Sequence, residues 1–425
     1  MSQRIGVVGL SHLGLVSSAC LASLGLSVTA VDSPELAAAV AAGRLPVHEP
    51  GLEALLAGPR PDFTGNYSCL GDCALVIVAV DTVTDERNRS ELALLDRQIE
   101  AAAPWLAPGA LVALMSQVPV GFTRALDARL RAWRPDWTAR LYYWVETLVI
   151  GEAVARYLEP ERIILGTETG AATPEPVLDA LLARFGCPVF RMNWESAELT
   201  KAAINLYLSM SVTYANTLAD LCEGTGASMS SMIPALRSDR RIGPAAYIRP
   251  GLGIAGGNLE RDLVHLRALA ARTGVDARLF DLILDRSAAR YGWLVAALER
   301  TVLKSRPRPR LAVWGLAYKK NSRSTKNSVS VRLVGDLRDR AALVAYDPQV
   351  PETPAGVERA TSALEAARDA DGLVILTDWD EFRTCDLDAL RAALAAPVVV
   401  DAVGVLDAER ARQAGLTHVA IGEPA

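Results

Sequence analysis

The first thirty-two residues constrain the fold more than any other stretch. Ile5, Val7 and Val8 lie in the apolar run Arg4–Gly9, which stops on a glycine. A helical pattern from about Leu13 to Leu24 follows, and the β-branched run Ser27–Val31 ends in Asp32. A short continuous apolar run predicts a strand buried on both faces, and two such runs joined through a helix predict a parallel pair. The chain therefore opens with a βαβ unit. Further apolar runs at Leu75–Val80, Leu111–Met115, Leu141–Tyr143 and Ile163–Leu165, with helical patterns between them, extend it into a doubly wound parallel sheet of the α/β class.

The turn inside that unit suggests chemistry. Gly9-Leu10-Ser11-His12-Leu13-Gly14 falls where a dinucleotide pyrophosphate would meet a helix N-terminus, and Asp32 stands where a carboxylate accepts from ribose hydroxyls. Asp32 favours NAD over NADP. The middle glycine of the usual G-x-G-x-x-G is Ser11, whose side chain narrows the approach, so the same residues also fit a structural turn that binds nothing.

Beyond residue 195 the pattern changes. Leu199, Ala203, Leu206, Met210, Tyr214 and Leu218 recur near helical spacing and predict one long helix from Ser196 to about Leu221. Ser238–Gly257 is rich in Arg, Pro and Gly and reads as an ordered loop over a site or as a plain connection; a helical stretch runs from Leu259 to about Leu303. The prolines of Lys304–Arg310 forbid continuing that helix and mark a linker. Leu311–Trp314 with Gly315, Ala342–Tyr346 with Asp347, Gly372–Leu376 and Pro397–Val400 with Asp401 then repeat the strand-then-polar-end pattern. The organisation expected is a Rossmann-like domain over 1–195, a central helical domain over 196–303, a linker over 304–310 and a second Rossmann-like domain over 311–425.

Composition narrows the partners. At 425 residues the chain is too long for one ordinary core, and a net charge of −5 argues against nucleic acid. No apolar run reaches the roughly 18–20 residues that span a bilayer, and Met1–Gly14 lacks the layout of a cleaved signal, so a cytoplasmic protein away from membranes is expected. Of the six cysteines only Cys69 and Cys73 are close, without a second Cys or His pair to complete a zinc site; buried free thiols and no metal are expected.

Further motifs give a resemblance. Pro46-Val47-His48-Glu49-Pro50-Gly51-Leu52 is similar to P-x-x-E-P-G-L, Val80-Asp81-Thr82 to V-G-T-P, Ser116-Gln117-Val118-Pro119-Val120-Gly121 to S-T-V-P-x-G, and Ala197-Glu198-Leu199-Thr200-Lys201 with Asn205 to A-E-L-x-K-x-x-x-N. Arg241-Ile242-Gly243, Gly315-Leu316-Ala317-Tyr318-Lys319, Tyr346-Asp347-Pro348 and Thr377-Asp378-Trp379-Asp380-Glu381-Phe382 follow in the same order as R-I-G, G-L-A-F-K, Y-D-P and T-E-W-x-E-F. Over nearly its whole length the chain resembles the UDP-glucose/GDP-mannose dehydrogenase family.

That resemblance implies an NAD domain, a central helix that pairs two subunits into a homodimer, and a nucleotide-sugar domain. Family members oxidise a sugar C6 alcohol to the acid in two hydride transfers, with a cysteine holding the intermediate. Their cysteine loop reads approximately G-x-G-G-S-C-F-P-K-D; here it is Gly253-Ile254-Ala255-Gly256-Gly257-Asn258-Leu259-Glu260-Arg261-Asp262, which sets Asn258 on the cysteine. A carboxamide is not a usable nucleophile at neutral pH. The family's water-handling threonine aligns with Gln117, and the second glutamate of N-P-E-F-L-R-E with Ile150, leaving Glu146.

Carried over residue by residue, the catalytic positions are Lys201, Asn205, Asp262, Asn258 and Glu146, and the cofactor positions are Gly9, Ser11, Leu13, Gly14, Asp32, Thr82, Gln117 and Arg261. The substrate positions are Arg241, Tyr247, Gly256 and Lys319. A lysine and an amide stabilise an alkoxide, and an aspartate orders a water or takes a proton; the three also fit a role holding helix to loop. Arg323-Ser324-Thr325-Lys326-Asn327-Ser328-Val329 departs from D-D-x-R-E-S-P, and Asp401-Ala402-Val403-Gly404 from D-x-R-N, so the substrate is changed or lost. Three functions are compatible: an oxidoreductase limited to one two-electron step on a nucleotide sugar, a redox-neutral epimerase that keeps NAD bound, and a non-catalytic nucleotide-binding or regulatory homologue.

Overall fold

A computed structural model of the chain describes residues 4–171 and 175–424. It divides into two compact units, Met1–Ile204 and Asn205–Ala425. The division falls inside one helix, Trp194–Thr225, four residues longer at its C-terminal end than the apolar periodicity alone predicts.

The first unit is built on eight strands: β1 (Arg4–Val8), β2 (Val28–Val31), β3 (Asp62–Thr64), β4 (Cys73–Val78), β5 (Leu111–Leu114), β6 (Leu141–Trp144), β7 (Ile163–Thr167) and β8 (Val189–Asn193). Their order in the sheet is β3-β2-β1-β4-β5-β6-β7-β8, so the winding reverses between β1 and β4, the place where open α/β sheets receive ligands. Alternate residues enter opposite cores: Leu75 and Ile77 pack on one face with Leu111, Ala113 and Trp144, and Val76 and Val78 on the other with Val112, Leu114 and Tyr143. Burial on both faces is why these strands read as continuous apolar runs rather than alternating ones.

One part of the parallel expectation is corrected. β6 and β7 pair antiparallel, with Tyr143 opposite Gly166 and Trp144 opposite Leu165. The connection between them holds only the six-residue helix Ala153–Leu158, which rises about 9 Å and does not carry the chain back along the sheet for a parallel crossover.

The second unit holds strands β9 (Arg310–Trp314), β10 (Ala342–Tyr346), β11 (Glu358–Arg359), β12 (Gly372–Ile375), β13 (Val398–Asp401) and β14 (Thr417–Ala420). They lie in the order β11-β10-β9-β12-β13-β14, every pair parallel, which repeats the first six positions of the other sheet. Helical elements precede them: Asn258–Thr273, Arg278–Leu298 and a π-helical turn Glu299–Leu303. The single stretch expected over Leu259–Leu303 is therefore two helices. Gly274, at φ 73°, ends the first, with the Val275 amide donating back to the Ala270 carbonyl.

Among the described residues no helix is long and apolar enough to cross a membrane. All six cysteines are free; Cys20, Cys73 and Cys222 are buried, whereas Cys69, Cys187 and Cys385 are only partly covered.

Candidate functional site

In the first unit the turn after β1 is shaped by its glycines. Gly9 has φ 106°, and a β-carbon there would stand 2.8 Å from the Ala79 carbonyl oxygen; one on Gly14 would stand 2.0 Å from the Gly9 carbonyl oxygen. The close approach of backbone to backbone at the start of helix His12–Ser23 leaves a cradle that any side chain would fill. Asp32 closes it from the end of β2. Its Oδ2 accepts from the Leu10 amide at 2.7 Å, and its Oδ1 accepts from the Ser33 amide at 2.7 Å and Gln98 Nε2 at 3.0 Å. Those bonds use three of the roughly four acceptor positions of a carboxylate and leave room for a ribose hydroxyl. The residues present fit NAD.

Ser11 is the N-cap residue of that helix, and its Oγ accepts from the Asp81 amide at 2.9 Å, so it faces the β4 end. The Leu13 amide donates to Asp81 Oδ2 at 3.4 Å. Thr82 donates its hydroxyl to the Gln117 carbonyl at 3.0 Å, which ties the turn after β4 to the turn after β5. Glu49, the acid of the Pro46–Leu52 motif, is buried; it accepts from the Gly151 and Ala153 amides at 2.9 and 2.8 Å and lies 2.8 Å from His12 Nε2.

Glu146 and Lys201 form an ion pair at 3.1 Å, both largely covered. Glu146 Oε1 also accepts from the Leu148 amide. Glu198, three residues before Lys201, is buried and accepts from the Gly121 amide at 2.6 Å, the Thr123 amide at 2.7 Å and the Thr123 hydroxyl at 2.6 Å. It caps helix Phe122–Trp133, whose N-cap Gly121 has no side chain to do so.

In the second unit Asn205, Arg261 and Asp262 are all buried. Asn205 Nδ2 donates to Asp262 Oδ2, and Arg261 Nε lies 3.4 Å from Asp262 Oδ1. Asn258 is the first residue of helix Asn258–Thr273 and is exposed. Behind it the Glu260 side chain reaches back over the helix start, its Oε2 accepting from the Gly257 amide at 3.0 Å. Gly256, at φ 93°, lies under the Tyr318 ring, whose nearest carbon would be 2.4 Å from any β-carbon there.

A cavity of about 190 Å³ opens beside this ring. Tyr247 and Lys319 line it, as do Arg249, Tyr318, Thr377 and Asp378. Burial pushes the Tyr318 phenol up to about 12, so it remains a hydrogen-bond donor at neutral pH. Lys319 Nζ lies 5.7 Å from the Tyr318 ring centre. Asp347, at the end of β10, accepts from the Leu316 and Ala317 amides at 2.7 and 3.0 Å and so holds the Gly315–Lys319 turn much as Asp32 holds the turn after β1.

Arg241 is placed apart from this cavity: its side chain is 90% exposed and pairs with Asp239 at 2.6 Å. Arg249 is a cavity residue that sequence reasoning missed. It reaches Asp378 at 3.1 Å and donates to the Val403 carbonyl at 2.8 Å, and its only sequence signal was a cation inside a Pro/Gly-rich loop. Asp81, Glu198 and Glu49 were visible as motif members, but the backbone amides that donate to their side chains lie 68 to 104 residues away. Among the described residues no group of three or more His, Cys, Asp or Glu is placed to hold a metal.

Three family models match successive parts of the chain. They are the NAD binding domain of the UDP-glucose/GDP-mannose dehydrogenase family over residues 3–185, its central domain over 195–287 and its UDP binding domain over 312–408. The UDP-glucose 6-dehydrogenase TuaD of Bacillus subtilis is 28% identical over 436 residues, covering 100% of this chain and 94% of that protein. A UDP-glucose 6-dehydrogenase of Pseudomonas aeruginosa is 29% identical over 443 residues, covering 99% and 98%. The fold is similar to the structure of a UDP-glucose dehydrogenase from Pyrobaculum islandicum, with a TM-score of 0.85 at 24% identity over 100% of this chain and 98% of that one. With NAD as the cofactor of its first domain, the chain belongs to the UDP-glucose/GDP-mannose dehydrogenase family.

Proposed function

We propose that the protein is an NAD-dependent oxidoreductase that acts on a nucleotide-linked sugar and stops after one hydride transfer, giving an aldehyde or ketone or running as the reverse reduction. The observation that carries this reading is a retained polar cluster beside an altered loop. Asp262 is buried and bonded to Asn205, while the helix that presents it begins with Asn258 and not with a thiol.

NAD, when bound, supplies the hydride acceptor. The C–H bond of the alcohol carbon breaks, its electron pair leaves as hydride, and the hydroxyl proton goes to Asp262 or to a water that Asp262 orders. The Lys201 ammonium and the Asn205 amide stabilise the alkoxide that develops. Glu146, 3.1 Å from the Lys201 ammonium, orients it. A second oxidation requires an aldehyde held covalently or hydrated, and Asn258, Gln117 and Ile150 supply neither a nucleophile nor a base. Tyr247, Gly256 and Lys319 are assigned to the nucleotide sugar, with the cavity beside Tyr318 as the supporting feature. Arg241 is assigned to it by motif alone. Gly9, Gly14, Leu13, Ser11, Asp32, Thr82, Gln117 and Arg261 are assigned to the cofactor.

A homodimer is part of the same reading. Tyr207, Met210, Tyr214 and Leu221 follow one another at helical spacing on Trp194–Thr225 and are all exposed, Tyr207 at 64%, an apolar stripe suited to a second copy. A cytoplasmic location is supported by six unpaired thiols.

The test is incubation with NAD and a panel of UDP-, GDP- and dTDP-sugars, with products read by mass spectrometry. One sugar is expected to lose two hydrogens with NADH appearing, and Lys201→Ala and Asp262→Ala are each expected to slow that turnover at least ~100-fold. Deuterium uptake from solvent without net NADH, or a panel left wholly unaltered, would overturn the proposal in favour of an epimerase or a binding subunit.

A further inference from the structure

The N–H groups at the start of helix His12–Ser23, together with the positive end of its dipole, form the place where a dinucleotide pyrophosphate rests. A carboxylate already reaches it. Asp81 Oδ2 accepts from the Leu13 amide at 3.4 Å, and Asp81 is seated there by its own amide, which donates to Ser11 Oγ at 2.9 Å. Positions 11 and 81 are both glycine in the motifs this chain resembles, and here their replacements bond to each other, so the hydroxyl that narrows the turn also anchors the residue that carries the charge.

We propose that Asp81 is the affinity-setting residue of the dinucleotide site: its ionised carboxylate occupies the anion position of the turn, and NAD binds by displacing it or after it takes up a proton. The groups around it are of both signs. His12 faces it from the helix and is itself 2.8 Å from Glu49 Oε2; Glu146 faces it from the segment after β6 and is paired with Lys201 at 3.1 Å. Burial is the largest influence and raises the Asp81 pKa from its ordinary value. Glu146 adds to that rise, and His12 with the Leu13 and Ser11 bonds opposes it.

The sign follows. As pH falls through the raised pKa the carboxylate is neutralised and its repulsion of the pyrophosphate disappears, so NAD binding tightens on acidification and weakens as pH rises.

The experiment is calorimetric titration of the full chain with NAD, with ADP-ribose and with adenosine, from about pH 4.5 to about pH 8.5. Wild type, Asp81→Asn and Asp81→Gly are compared, and thermal melting checks that each variant is folded. Both variants are expected to bind NAD and ADP-ribose at least ~10-fold tighter than wild type at the alkaline end, with a flatter pH dependence, and adenosine, which lacks the pyrophosphate, is expected to bind all three alike. Wild type alone gives a second test: ADP-ribose binding is expected to vary with pH and adenosine binding to stay level. Equal or weaker NAD binding by folded variants, or the same pH dependence for ADP-ribose and adenosine, overturns the inference while the dinucleotide site stands. Absence of NAD binding by all three proteins overturns both.

Discussion

Glu198 and Glu49 each place a buried carboxylate on backbone amides from a distant segment. Glu198 receives two amides and a hydroxyl at the start of Phe122–Trp133, and Glu49 receives two amides at Gly151 and Ala153. Removing such an acceptor leaves buried donors without a partner, at about 1–3 kcal/mol for each charged-group bond and not fully additive. Glu198→Ala is expected to lower the unfolding free energy by about 3 kcal/mol, read from the shift of the urea transition that reports the first unit. A loss below about 1 kcal/mol would show that the cap is dispensable. On the proposed reading of the loop, Asn258→Cys alone is expected to give no sugar acid with a substrate the wild type turns over, because that reading assigns Gln117 and Ile150 no part in activating a hydrolytic water. Acid formation by that single variant, detected by mass spectrometry, would sink the account of the loop.

The strand–turn–helix elements were legible wherever their signals are local. Arg4–Gly9 gave β1, the glycine at 274 is a local stop signal that the single-helix expectation passed over, and Asp32 and Asp347 stand at strand ends as their positions require. β3, β8, β11 and β14 were not anticipated, and all four are sheet edges with little apolar run to betray them. The candidate site was legible as residue types in motif order, whereas the Asp81–Leu13 and Arg249–Asp378 contacts were not, because pairing across 68 and 129 residues depends on the folded sheet. At this scale the glycines give a direct test. Gly14→Ala puts a methyl against the Gly9 carbonyl oxygen, a backbone atom that cannot swing aside, and is expected to cost about 1–3 kcal/mol and to weaken NAD binding at least ~10-fold in a calorimetric titration. Unchanged binding in a folded Gly14→Ala protein would mean that NAD does not use this turn.

At the scale of the molecule, two sheets that share the order of six strands use the same device, a carboxylate at the end of the second strand holding the glycine turn after the first. The exposed stripe on Trp194–Thr225 sets the expected assembly: wild type is expected to elute as a dimer and Tyr207→Glu/Tyr214→Glu as a monomer by chromatography with light scattering. A monomeric wild type would remove that helix from the interface. The central claim, one hydride transfer and no more, is tested most directly by the stoichiometry of a complete reaction. NADH formed is divided by sugar consumed, with the product mass read from the same sample. One NADH per sugar and a product lighter by two hydrogens is the result expected; two NADH per sugar with a carboxylic acid as product would contradict it.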